Sequence, residues 1–337
     1  GSKSTALGTD TLATQNFTTA TDSFNVAVGY QAGTSVTTGI RNTLIGGLNG
    51  DAMTTGQNNV AMGYQTLGAE TAGKRAVALG SFALGTQNHS TGTENYNVGV
   101  GYAAGNLITT GIENTIIGGL AGDALTDADQ NVAVGKSALS ADTLGSKSVA
   151  IGAGALNAQN FTTATDTYNT AVGHVAGGSI TTGTRNTIVG GLAGDAITTA
   201  DQNTVFGALA LSEETTGEYS VAVGYQALAV QNSTTGASMY NTAVGYKSGF
   251  SITTGTQNVL MGALAGDAMT TPNNNVAVGF QALSNDTTGQ SNVGVGYNAL
   301  ATQNRTDSTS QFNVGVGASA GEQITSGTQN TLIGGLA

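Results

Sequence analysis

A glycine recurs at a fixed place throughout this chain and ends a five-residue pattern, as in Asn25 to Gly29 and Ser220 to Gly224. The pattern consists mostly of Asn or Ser, then Val or Thr, in most rungs a small residue, a branched or long apolar residue, and Gly. It begins nineteen times, at 4, 25, 42, 59, 76, 97, 114, 131, 148, 169, 186, 203, 220, 241, 258, 275, 292, 313 and 330. The spacings are 21, 17, 17 and 17 residues and then repeat, so a larger unit recurs every 72 residues. Such a period predicts a stack of similar units, which we call rungs.

The alternation within each rung predicts a short β-strand. In Val26-Ala27-Val28 the two valines share one face, and we expect them to point inward, as Val132 and Val134, and Val221 and Val223, would in their own rungs. Two buried branched side chains contribute on the order of 3–6 kcal/mol. Ordering some seventeen backbone residues costs roughly 17–34 kcal/mol, so a lone rung cannot fold. The sequence therefore predicts an all-β fold, a parallel β-solenoid or left-handed β-roll of about nineteen stacked rungs.

Three positions within the rung predict its backbone and its core. The fifth position is Gly in all nineteen rungs, which indicates a positive φ or close contact with a neighbouring rung. We assign this structural role to Gly29, Gly63, Gly135, Gly224 and Gly296. The eighth position is Ala in fifteen of nineteen rungs, which predicts a sterically tight column. In the shorter rungs the thirteenth position is Thr, which is typical of a turn.

The composition narrows the range of functions. Charged residues make up 9% of the chain, and a net charge of −11 without basic runs disfavours nucleic-acid binding. The absence of Cys excludes disulfides and thiolate chemistry, and no apolar run is long enough to be embedded in a membrane. We interpret residues 1–3 as a cloning scar and start. Residues 4–337 are predicted to be one repeat-built solenoid, truncated at both ends of a longer fibre.

The rungs resemble the head repeats of YadA-like trimeric autotransporter adhesins. Ser148-Val-Ala-Ile-Gly152 and Ala76-Val-Ala-Leu-Gly80 are similar to that family's signature, and Asn241 to Tyr246 is similar to repeats of bacteriophage tail fibres. The resemblance covers the whole chain but does not separate the two settings. It implies a left-handed β-roll, three identical chains side by side, and attachment to a host surface. The family's repeats are shorter, so spacings of 17 and 21 residues imply longer turns.

The longer rungs carry the most informative irregularity. Their extra residues follow a Gln-Asn pair, and the next residue varies while its surroundings stay fixed, at Phe17, His89, Phe161, Ser233 and Arg305. Variable side chains on regular loops are typical of contact surfaces, so we predict receptor contact at these five residues. Each Asn also begins an Asn-x-Ser/Thr sequence, the acceptor pattern for N-glycosylation, although an Asn-initiated turn is the simpler interpretation.

No arrangement of residues indicates catalysis, and we expect no enzyme, cofactor or metal site. The leading hypothesis is an extracellular fibre segment, on a bacterial cell surface or a virion tail fibre, that spaces or displays a receptor-binding surface. Its partners would be two further copies of itself, as a homotrimer, and a host-surface glycan or protein. The alternative is a monomeric β-solenoid that binds ice or carbohydrate through its Thr-rich columns.

Overall fold

The computed structural model describes residues 3–304 and 306–337. Across these residues the chain contains strands, turns and bends and no helix. It forms two compact units, Gly1–Tyr168 and Asn169–Ala337. The prediction that residues 4–337 form one body stays a prediction. Arg305 lies outside the described residues.

Each unit is a stack of parallel strands. The first unit contains β1 (Thr5–Leu7), β2 (Val26–Val28), β3 (Thr43–Ile45), β4 (Val60–Met62), β5 (Val77–Leu79), β6 (Val98–Val100), β7 (Thr115–Ile117), β8 (Val132–Val134), β9 (Gly145–Ser146), β10 (Val149–Ile151) and β11 (Thr165–Asp166). The second contains β12 (Thr170–Val172), β13 (Thr187–Val189), β14 (Thr204–Phe206), β15 (Val221–Val223), β16 (Thr242–Val244), β17 (Val259–Met261), β18 (Val276–Val278), β19 (Val293–Val295), β20 (Val314–Val316) and β21 (Thr331–Ile333).

The strand pairing confirms the predicted solenoid. Every rung contributes one three-residue strand, which gives nine such strands in the first unit and ten in the second. Neighbouring strands pair in parallel and in register, so that Ala27 lies between Ala6 and Leu44. The two-residue strands β9 and β11 form a separate parallel pair. Equivalent positions of successive rungs therefore form columns, about 4.8 Å apart from rung to rung.

The orientation predicted for the strand valines is wrong. Ala27, at the middle of β2, is fully buried, whereas Val26 is 36% exposed and Val28 is half-buried. The same holds in β8 and β15, where Val132, Val134, Val221 and Val223 lie on the outer face and are half-buried. The inward middle residue, which faces the interior of the rung, is Ala or Gly in thirteen of the nineteen rungs and a larger apolar residue, such as Leu44, in the other six.

Two positions share the filling of that interior. Where position 9 is Leu, position 12 is polar, as in Leu84 and Gln87; where position 9 is Gly, position 12 is apolar, as in Gly105 and Ile108. Each combination occurs in nine of the eighteen rungs that reach position 12. A Cβ added to Gly105 would lie 2.9 Å from both Ile108 Cδ1 and Leu84 Cδ2. The two large side chains therefore compete for one volume, and a rung holds only one of them.

A buried ladder of asparagines closes most rungs. The side chain of Asn42 donates from Nδ2 to the carbonyl oxygen of Gly56 in the same rung, at 2.8 Å. Its backbone N–H donates to Oδ1 of Asn25 in the preceding rung, at 2.9 Å. One side chain therefore satisfies polar groups in two rungs, which explains why an amide suits this buried position.

The structure confirms the conformation predicted for the fifth-position glycines. Gly29, Gly63, Gly135, Gly224 and Gly296 have φ values of +130°, +144°, +135°, +132° and +138°. A Cβ on Gly135 would lie 2.6 Å from the carbonyl carbon of Gly152 in the next rung. Both the backbone conformation and the contact between rungs therefore require glycine. The predicted tight column at position 8 is also present, because Ala32, Ala104 and Ala176 are fully buried.

Candidate interaction surfaces

The variable residues of the longer rungs do not protrude as expected. His89, Phe161 and Ser233 are buried, with 5%, 6% and 4% of their surface exposed, and Phe17 is half-buried. Arg305 lies outside the described residues. Three of the five side chains therefore face into the loop, where they cannot contact a receptor without rearrangement. The remainder of the loop is exposed, as at Asn88 and Ser90.

A buried carboxylate in the preceding rung holds this loop in place. Glu70 Oε1 accepts hydrogen bonds from the backbone N–H of Gly73 (2.7 Å), in its own turn, and of His89 (3.1 Å), in the long loop. Its Oε2 accepts from Nε2 of Gln87 at 2.8 Å and lies 3.1 Å from Nδ1 of His89. The acid thus joins two rungs from inside, and this network turns the His89 side chain inward.

The same device recurs every 72 residues. The buried acids are Glu70, Asp142, Glu214 and Asp286, and their Gln partners are Gln87, Gln159, Gln231 and Gln303. Glu214 accepts from the backbone N–H of Ser233 at 2.9 Å, and Asp142 accepts from that of Phe161 at 3.0 Å. None of these acids was predicted from the sequence as a site residue. Their signal was the acid at position 12 after a Leu at position 9, always one rung before a long one.

Glu70 and His89 form the one buried ion pair found among the described residues. Burial alone would raise the pKa of Glu70, but the hydrogen bonds from His89, Gln87 and Gly73 outweigh it and hold that pKa below its usual value. Burial alone would lower the pKa of His89, but the hydrogen bond and the charge of Glu70 raise it above its usual value. Each partner therefore favours the charged form of the other.

The Asn of the Gln-Asn pair also has a structural role. Oδ1 of Asn88 accepts a hydrogen bond from the hydroxyl of Thr71 at 2.8 Å, and Asn232 accepts from Thr215 at 2.9 Å. These threonines belong to the position-13 column. Where the following rung is short, the same hydroxyl donates to a backbone carbonyl oxygen of that rung, as from Thr54 to Thr71 at 3.1 Å. The Thr column is therefore part of the ladder between rungs.

The outer face of the strands is an exposed apolar surface in each unit. Position 4 of the rung is apolar in all nineteen rungs and is exposed or half-buried in each one. Exposed members include Met62, Ile117, Ile151, Phe206 and Met261, at 38–47%. Position 2 on the same face is always Val or Thr. We call these two columns the outer strand face; they carry no charged side chain.

Aromatic side chains border the outer strand face at position 6. Tyr30, Tyr102 and Tyr246 are 55%, 59% and 49% exposed. Tyr225 and Tyr246 stack with ring centroids 5.9 Å apart, and Phe280 and Tyr297 stack at 5.7 Å. Monomeric soluble proteins rarely expose a contiguous apolar patch of this kind, and such patches mark sites of association.

No protein-family model matches the chain, and a search of curated proteins finds no similar one. Within residues 3–304 and 306–337, no three His, Cys, Asp or Glu side chains are placed to hold a metal ion. The described part of the chain also has no helix that is long and apolar enough to span a membrane.

Proposed function

We propose that this chain is a structural fibre segment of a surface-attachment protein, and that it assembles through its outer strand face. The observation that carries the proposal is the position-4 column, where nineteen apolar side chains lie on the outside of the strands. Leaving such a column in water costs about 25 cal/mol for each Å² of apolar surface. A further copy of the chain would present the same column and could cover it.

The proposed partner is the chain itself, as a homotrimer. Rungs of equal spacing can lie side by side in register, and closed cyclic symmetry is usual for identical subunits. The number three comes from the resemblance to trimeric autotransporter adhesins. In this setting the segment would be extracellular, on a bacterial surface or a virion, and it would space or display contacts with a host glycan or protein.

Light scattering on the purified chain tests the assembly. Three copies of the 33.2 kDa chain would give a mass of about 100 kDa. A mass of one chain across the accessible concentration range would contradict the proposal and favour the monomeric solenoid that binds ice or carbohydrate. Attachment is tested separately, by measuring adhesion of the intact fibre with and without this segment replaced by a solenoid of equal length.

A further inference from the structure

A second exposed column precedes the strands. It consists of the residue immediately before each rung, which we call the pre-strand column. After every long rung this residue is aromatic, and its ring is 45–57% exposed. These five residues are Phe24, Tyr96, Tyr168, Tyr240 and Phe312, and a sixth aromatic member, Tyr219, precedes a long rung. The remaining members are mostly amides and charged residues, such as Arg41, Glu113, Gln130, Arg185 and Gln202.

Each aromatic ring of the first unit lies beside a cation and an acid. Nζ of Lys147 lies 5.4 Å from the ring centroid of Tyr168 and 2.6 Å from Oδ2 of Asp166. Arg75 lies 5.4 Å from the ring centroid of Tyr96 and pairs with Glu94 at 3.0 Å. The same arrangement joins Lys3, Phe24 and Asp22. In the second unit Tyr219 replaces the cation and stacks on Tyr240 at 5.2 Å.

The backbone of this column would favour glycine, but the sequence retains side chains. All nineteen pre-strand residues have φ between +50° and +67°, a conformation that costs L-residues roughly 1–2 kcal/mol. The chain contains 52 glycines, and none of them occupies this column. Buried position-9 leucines such as Leu84 adopt a similar conformation, so the feature that distinguishes the pre-strand column is that most of its side chains are exposed. The column therefore has the features of a surface that is used for recognition.

We propose that the pre-strand column binds a neutral, hydroxyl-rich glycan. A flat exposed ring with a polar tip can stack on the apolar face of a sugar. The adjacent amides, acids and cations supply both donors and acceptors, which is what hydroxyl groups require. Because the cations beside the rings are paired with acids and the chain carries a net charge of −11, a polyanionic glycan is disfavoured.

The spacing of the rings favours an extended ligand. Aromatic members recur every four rungs within a unit, at about 19 Å, so one long glycan or several copies on a surface could contact more than one ring. Weak contacts of this kind gain affinity by acting together. The inference rests on the proposed attachment function and assigns its ligand class, at a place distinct from the long loops.

A glycan array printed with neutral, sialylated and sulfated oligosaccharides tests the inference on the full chain. We expect binding to neutral glycans, and a variant with Tyr96→Ala, Tyr168→Ala and Tyr240→Ala to lose about a hundredfold in apparent affinity. The matched control, with Thr91→Ala, Thr163→Ala and Thr235→Ala, changes exposed loop residues of the same three rungs, away from both exposed columns, and should retain binding. Circular dichroism and thermal melting establish that both variants are folded.

Three outcomes would overturn the inference: no binding to any printed glycan, binding confined to charged glycans, or equal binding by the pre-strand variant and the natural chain. Light scattering on the same samples shows separately whether the chain assembles, so a failure to bind glycan can be told apart from a failure to form the proposed trimer. An assembled chain that binds no glycan contradicts only the pre-strand proposal. A monomeric chain that binds neutral glycans contradicts only the proposed trimer.

Discussion

At the scale of single residues, this fold uses two kinds of positive φ. Fifth-position glycines have φ near +135°, a region that is essentially restricted to glycine. Pre-strand residues and position-9 leucines have φ near +55°, which L-residues can adopt at a cost. This difference explains why the fifth position is invariant, whereas the other positions accept Leu, Gln or Tyr.

The first prediction concerns that invariant glycine. Gly135→Ala should destabilise its rung by about 2–5 kcal/mol, because it adds both backbone strain and a Cβ 2.6 Å from Gly152. Gly119→Ala is the matched control, since a Cβ there has no atom within 4 Å and should change stability by less than about 0.5 kcal/mol. Thermal melting of the two variants measures the difference, and equal melting temperatures would refute the argument.

The second prediction concerns pH and the pair of Glu70 and His89. The pKa of Glu70 is lowered on folding, so its contribution is present above about pH 4.3 and is lost as the pH falls through its folded pKa. The pKa of His89 is raised, so its contribution is present below about pH 6.5 and is lost as the pH rises through its folded pKa. The pair should therefore stabilise the loop most between these two values.

Hydrogen exchange of the His89 amide measures this effect. Relative to the variant His89→Ser, which copies the natural Ser233, protection should be about three- to tenfold greater near pH 5.5 than near pH 8. The amide of Phe161, which donates to Asp142 in a loop without His, is an internal control and should respond equally in both proteins. If the ratio of protection between the natural chain and His89→Ser did not change with pH, the charge of His89 would contribute nothing to the stability of the loop.

At the scale of the rung, positions 9 and 12 together supply one large apolar side chain to the interior, and in some rungs the middle strand residue supplies another, as Leu44 does. When position 9 supplies the first of these, position 12 is free to carry a polar group inward. This arrangement places a carboxylate next to a glutamine only where a long rung follows. The four extra residues of a long rung and the buried acid of the rung before it therefore belong to one structural arrangement, and that arrangement repeats every 72 residues.

The third prediction tests this exchange with a double-mutant cycle. Glu214→Ile should destabilise the fold by about 2–6 kcal/mol, because the new side chain competes with Leu211, removes one of the two hydrogen bonds that Gln231 Nε2 donates, and leaves the backbone N–H of Ser233 without its acceptor. Adding Leu211→Gly should recover about 1–3 kcal/mol of this loss, although Leu211→Gly alone is destabilising. Chemical denaturation of the four proteins gives the coupling energy.

The control for that cycle pairs Glu214→Ile with Leu283→Gly. These positions lie four rungs apart in the same unit, about 19 Å, so their effects should add within about 0.5 kcal/mol. Additivity in both cycles would mean that positions 9 and 12 do not share a volume.

At the scale of the whole molecule, the two sides of the strands differ in burial: in the three-residue strands other than β1 and β21, the middle residue is buried, and the two outer residues are exposed or half-buried. The middle residues, which are small in most rungs, face the interior, and the apolar residues of position 4 face outward. A solenoid with this pattern has an adequate core and an unpartnered apolar face. That combination suits a chain whose final burial comes from association, as we propose.

The fourth prediction tests the outer strand face. The variant Val28→Lys, Ile45→Lys and Met62→Lys places three charges in position 4 of adjacent rungs and should reduce the mass measured by light scattering to that of one chain. Thr38→Lys with Thr55→Lys, at exposed turn positions of the same region, is the control and should leave the mass unchanged. An unchanged mass for the folded position-4 variant would assign the contact between copies to another surface.

The sequence by itself determined the repeat, its 17- and 21-residue spacing, the parallel stack and the glycine-only positions. These features follow from local geometry and periodicity, because the same residue pattern is repeated in every rung. The sequence also shows that a Leu at position 9 is accompanied by a polar residue at position 12. It does not show the reason, because nothing local indicates that the side chains of these two positions fill the same space.

Only the tertiary structure decided which side of the strand faces inward. Alternation fixes that Val26 and Val28 share a face and leaves open which face it is, because both sides of a three-residue strand are apolar here. Packing across the rung decides the matter: side chains from positions 9 and 12 occupy the interior, and in β2 the middle Ala27 lies there with Val36, while Val26 and Val28 face outward. The same contacts between rungs buried His89 and Phe161, since the carboxylates that hold their loops lie one rung away, a distance that sequence spacing alone does not reveal.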